Sequence, residues 1–86
     1  PKVRLLICHG AEDSFAPPAK FQSYLSAMAR SGLDYQIIIY GGAKHGFTNP
    51  HAGEFGMPQL AYNASADHRS WAQMKLFFKE LFSSSK

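Results

Sequence analysis

The sequence predicts an α/β fold, arranged as strand–helix–strand–loop–helix with parallel strands. Two short apolar runs, Val3-Arg4-Leu5-Leu6-Ile7-Cys8 and Ile37-Ile38-Ile39-Tyr40, have the length and composition of buried strands. A helical pattern separates them, and parallel neighbours need such a crossover. Each run ends in a loop that carries a chemistry-bearing residue. Asp13 lies five positions past Cys8, and His45 five positions past Tyr40. Parallel strands put both loops on one edge of the sheet, where open α/β folds place their sites.

The first strand is expected over Val3 to Cys8, followed by a loop from His9 to Ala16. Pro17-Pro18 marks a helix start, because the missing N–H of proline costs nothing in the first turn. The helix should run from Pro18 to Ser31, with Phe21, Leu25, Met28 and Ala29 as its buried stripe. Gly32 suits the left-handed position that ends a helix, and Leu33 can fold back onto the last turn. Asp34 opens the second strand, Tyr35 to Tyr40.

A long irregular stretch follows, from Gly41 to Tyr62, rich in glycine and containing Pro50 and Pro58. Loops longer than about 12–15 residues in a compact domain are usually functional. The final helix is expected over Ala64 to Phe82, capped by Asn63 or Ser65. Trp71, Met74, Phe78, Leu81 and Phe82 form its apolar face, which reads as core rather than as a cofactor box. The tail, Ser83-Ser84-Ser85-Lys86, should fray.

Composition narrows the function classes. The chain has 86 residues, is 45% hydrophobic and 17% charged, and so reads as globular rather than disordered. The nine Lys and Arg are scattered, so the net charge of +3 reads as solubility and not as a nucleic-acid footprint. No run approaches the ~20 apolar residues of a membrane span, and no signal peptide is visible. Cys8 is the single cysteine, which excludes an internal disulfide and makes a reducing cytoplasm the default location. Two strands and two helices do not close a core. The expectation is therefore one segment, 1–86, of a single α/β domain that is incomplete without an upstream part.

His45 sits between Gly42 and Gly46, where the backbone can turn tightly and approach a ligand. An imidazole there can act as a general base, or it is a surface histidine in a glycine turn. Asp13 is its natural partner, since a covered carboxylate holds the imidazole tautomer. Glu12 is the rival, and only one of the two can point inward. The alternative for Asp13 is turn or capping chemistry ahead of Pro17. Their separation of 32 residues leaves room for one crossover helix and one strand. Cys8 lacks the glycine-flanked elbow of a nucleophile and reads as a structural cysteine. Ser14, Ser23, Ser26 and Ser31 lack that elbow too. His9, His51 and His68 match no metal-ligand spacing, and His68 should face solvent. No cofactor is implied.

His9-Gly10-Ala11-Glu12-Asp13-Ser14-Phe15-Ala16-Pro17-Pro18 resembles the acid loop of the dienelactone hydrolase family. Tyr40-Gly41-Gly42-Ala43-Lys44-His45-Gly46-Phe47-Thr48-Asn49-Pro50 resembles its histidine loop. Ala61-Tyr62-Asn63-Ala64 and the helix bearing Trp71 resemble its C-terminal helix. The resemblance covers nearly the whole chain and implies the C-terminal part of an α/β-hydrolase with a Cys-His-Asp or Ser-His-Asp triad. It carries the acid to Asp13 and the base to His45, and it puts the nucleophile and the oxyanion-hole donors upstream. Members that cleave dienelactone carry an arginine four residues after the histidine, where this chain has Asn49. That departure points to a neutral or different ester, thioester or lactone.

The expectation is thus a carboxylic ester or lactone hydrolase working through an acyl-enzyme, with the 86 residues inactive alone. Tyr40, Phe47, Asn49 and Tyr62 are the candidates for shaping its substrate pocket. The expected partners are a small-molecule substrate and either the upstream part of the same hydrolase or a second copy, with no nucleic acid and no membrane. The alternative is a non-catalytic module that pairs through its open sheet edges.

Overall fold

The computed structural model describes residues 3–83. The chain order is β1 (Arg4–Gly10), α1 (Pro18–Ser31), β2 (Asp34–Tyr40), a short 3₁₀ helix (Ala52–Phe55) and α2 (Ala64–Ser83). The strands pair in parallel, from Arg4 opposite Asp34 to Gly10 opposite Tyr40. An ion pair between Arg4 Nε and Asp34 Oδ2, at 3.4 Å, lies on the first rung. β1 extends beyond its apolar run because His9 and Gly10 stay in register with β2, opposite Ile39 and Tyr40. Asp13 therefore lies three residues past the strand, not five.

Alternation along β1 sends its side chains to two layers. Leu6 and Cys8 share a groove with Ser70, Trp71 and Met74 of α2. Ile7 and His9 face α1, where the His9 ring stacks on Phe21 with centroids 4.1 Å apart. The sheet thus lies between α1 and α2. The buried cluster is Tyr40, Ala43, Phe47 and Ala66, with Cys8 and Ile38 packed against it.

α1 has the expected bounds and ends at Gly32, whose φ is 73°. Phe21, Leu25 and Met28 are half-buried, but Ala29 is exposed. The stretch from Gly41 to Tyr62 is more ordered than its composition predicts. It holds the 3₁₀ helix and a parallel bridge between His45 and Leu60.

The cap of α2 is Asn63, whose Oδ1 accepts from the Ala66 N–H at 3.0 Å. The buried face of α2 is Ala66, Asp67 and Ser70. The expected core residues of this helix divide, with Met74 and Leu81 half-buried and Trp71, Phe78 and Phe82 exposed at 53%, 44% and 72%. Small side chains face the sheet because the helix approaches it closely near its start. Trp71 lines the groove beside Leu6 and Cys8 yet stays open to solvent, and Phe78 and Phe82 are exposed farther along the helix. Pro1-Lys2 and Ser84-Ser85-Lys86, including most of the tail expected to fray, lie outside the described residues. No helix among the described residues is long and apolar enough to cross a membrane.

Candidate active site

The loops after β1 and β2 are joined by their backbones. The N–H of Ala11 donates to Tyr40 O and that of Glu12 to Ala43 O, both at 2.9 Å. Gly10 permits this approach, since a Cβ there would stand 2.5 Å from the Ala43 carbonyl oxygen. The Asp13 N–H turns back to Gly10 O at 3.1 Å. Glu12 is left exposed while Asp13 turns inward, so the rivalry between the two carboxylates resolves to Asp13.

The second loop is held from its other side. The Ala61 N–H donates to His45 O at 3.4 Å, and the Asn63 N–H donates to Phe47 O at 3.0 Å. Lys44 Nζ donates to Pro58 O at 3.0 Å. Gly46 takes a φ of 74°, which a side chain adopts only with strain, and this lets the chain reverse directly after His45.

These constraints bring His45 Nδ1 to 3.0 Å from Asp13 Oδ2. The other carboxylate oxygen, Oδ1, accepts from the Phe15 N–H at 3.0 Å. An ionised carboxylate only accepts, so Nδ1 is the donor in this contact, and in a neutral imidazole Nε2 is then the nitrogen that carries the lone pair. Nε2 makes no hydrogen bond to any described residue. The acid side chain is 12% exposed and the imidazole 54%. A covered acid behind an open imidazole is the arrangement that a general base and its orienting acid require. A hollow of about 660 Å³ opens beside Asp13, lined in part by Glu12, Ser14, Pro17 and Ile39.

The other candidates sit elsewhere. Tyr40 and Phe47 belong to the buried cluster, with ring centroids 5.7 Å apart. The Tyr40 hydroxyl points at Cys8 Sγ, 4.0 Å away. Burial, and then the neighbouring thiol, push the Tyr40 hydroxyl above its usual range. Phe47 also lines the groove of about 390 Å³ between β1 and α2, together with Cys8 and Trp71. Asn49 is exposed, and its Oδ1 accepts from the His51 N–H at 3.0 Å. The Tyr62 hydroxyl donates to Asp67 Oδ2 at 2.7 Å, and this hydrogen bond pushes its titration upward. None of these four makes a hydrogen bond or ring contact with the Asp13–His45 pair.

Ser23 and Ser31 donate to carbonyls of their own helix. His51 pairs with Glu54 on the surface at 3.1 Å, and His68 is exposed. No group of residues able to hold a metal ion occurs among the described residues. Sequence reasoning missed Phe15, whose ring meets His45 edge-on with centroids 4.8 Å apart. A loop aromatic has no periodicity to reveal its side, and its place two residues after the acid was the only available signal.

Comparison with known proteins agrees with this fold. The model of the dienelactone hydrolase family matches residues 2–82. A solved dienelactone hydrolase-like promiscuous phosphotriesterase from metagenomic libraries is 40% identical, with a TM-score of 0.85 over 91% of this chain and 33% of its own. A second structure, designated m3DLH, is 39% identical, with a TM-score of 0.81 over 90% of this chain and 32% of its own. An uncharacterised Caenorhabditis elegans protein is 30% identical over 86% of this chain. The chain spans 47% of that curated relative.

Proposed function

The chain belongs to the dienelactone hydrolase family, and from that premise we propose that it is the C-terminal part of a hydrolase acting on a carboxylic ester or lactone through an acyl-enzyme. His45 Nε2 takes the proton of a Cys or Ser nucleophile carried by an upstream segment of the same fold. It then activates the water that releases the acyl group. Asp13 holds the Nδ1 proton and stabilises the imidazolium while it exists. The observation that carries this reading is the 3.0 Å contact between Nδ1 and a covered carboxylate, with Nε2 left open.

A neutral substrate suits the histidine loop. Residue 49 is an asparagine already engaged with the His51 amide. Lys44, the only Lys or Arg from 41 to 62, is engaged by the Pro58 carbonyl. The solved relative described as a promiscuous phosphotriesterase supports a second class, neutral phosphotriesters. The same base would serve a nucleophile attacking phosphorus.

The test is hydrolysis of an activated aryl ester and an aryl phosphotriester by the full-length protein and its His45→Asn and Asp13→Asn variants. Loss of the triad histidine should lower kcat/KM by orders of magnitude. Turnover within about a factor of two of wild type, against triad losses of that size, would reject the assignment.

A further inference from the structure

We propose that Phe15 is a positioning residue for the reaction: its ring braces the His45 imidazole in the orientation bonded to Asp13. The inference rests on the reading of Asp13 and His45 as acid and base. His45 has a half-open side chain, and one hydrogen bond at Nδ1 fixes a single point of its ring. Rotation about the Cα–Cβ and Cβ–Cγ bonds would carry Nδ1 off Asp13 and swing Nε2 away from the nucleophile, and the one side-chain hydrogen bond is what resists it. A second contact on the ring would stiffen both rotations.

Phe15 supplies that contact. Its centroid is 4.8 Å from that of His45 with the planes inclined at 61°, the edge-to-face arrangement that aromatic rings favour. The ring is itself held at its root, because the Phe15 N–H donates to Asp13 Oδ1 at 3.0 Å. The acid therefore anchors both members of the pair, the imidazole through Oδ2 and the phenyl backbone through Oδ1. Phe15 remains 45% exposed, so its ring is not held in place by burial in the core.

Substitution of the side chain leaves the backbone N–H in place, so Phe15→Ala removes the ring while keeping the bond to Asp13. In the full-length protein, Phe15→Ala should lower kcat by about two- to tenfold, the size of one edge-to-face contact. KM should stay within about a factor of two, because only ring orientation changes while ground-state binding is kept. Phe15→Tyr should restore kcat, whereas Phe15→Leu, similar in volume but without the ring, should not.

His45→Asn is run beside these variants. If it leaves turnover intact, the proposed function fails and the role of Phe15 with it. If His45→Asn abolishes turnover, two results overturn the Phe15 proposal alone. One is unchanged kcat in Phe15→Ala. The other is a loss that Phe15→Leu rescues as well as Phe15→Tyr does. A fall in thermal midpoint with kcat unchanged at a permissive temperature would mark the ring as structural and also overturn it.

Discussion

At the scale of single residues, the meeting of acid and base depends on a missing side chain. The Cβ of Gly10→Ala would press on the backbone oxygens of Ala43 and Lys44, which cannot rotate aside. Overpacking of this kind costs about 1–3 kcal/mol. The strain falls on the bonds joining the two loops, so urea denaturation should show the loss of stability together with reduced turnover. A surface glycine replacement would show neither. Tyr62 and Tyr40 give a second prediction. Both hydroxyls are pushed upward, Tyr62 by donating to Asp67 and Tyr40 by burial. A raised pKa in the fold means the folded state holds its proton more tightly. The stabilisation is fully present below the ordinary tyrosine range, near 10, and is lost as pH rises through the folded value. Thermal midpoints should therefore fall above about pH 10 in wild type, and fall less steeply in Tyr62→Phe. Of these residues Asp13 and His45 were legible in the sequence, because chemistry-bearing residues after strands are few. The tight approach at Gly10 and the ring of Phe15 were not, because each depends on a neighbour 30 or more residues away in the chain.

At the scale of elements, local rules located the helices well. Proline at the start of α1, Gly32 at its end and Asn63 before α2 all act within one turn, so their signals are local. Asn63→Ala removes the acceptor of the Ala66 N–H and should cost about 1 kcal/mol in global stability, read by chemical denaturation. The backbone bonds from Asn63 N to Phe47 O and from Asp67 N to Asn63 O survive that change, so turnover should be largely retained. The strand end was less legible. His9 and Gly10 lack an apolar signature, yet pairing with Ile39 and Tyr40 keeps them in β1. The same limit applies to the segment from Gly41 to Tyr62. Its order comes from Leu60 and Ala61 meeting His45 and from Asn63 meeting Phe47. Such pairings leave no periodicity in a glycine-rich stretch. The apolar period of α2 was read correctly as a stripe, but period alone does not say which neighbour covers it.

At the scale of the whole molecule, these 86 residues are more extended than a compact domain of their length. Their radius of gyration is 14.5 Å, with extents of 46 × 27 × 18 Å, whereas a compact domain of this length would have about 12 Å. Among the described residues no large side chain is fully buried. Ile39, Trp71, Leu76, Phe78 and Phe82 together expose more apolar surface than isolated surface residues normally do. In the proposed longer hydrolase, further strands and helices would cover the α2 stripe and the open strand edges. The non-catalytic alternative requires a second copy, or a separate upstream half, to do the same. Trp71 separates the two readings, because it is the only tryptophan here and is 53% exposed. As a part of a hydrolase, the 86 residues expressed alone should bind an apolar dye and lack a cooperative thermal transition. Trp71 should then be quenched by acrylamide at every protein concentration. As a pairing module, the chain should form a dimer with a sharp, concentration-dependent transition, and quenching should fall as the dimer forms. The second outcome would give the open faces a partner without any upstream segment, and Asp13 and His45 would then need a nucleophile from within the pair itself.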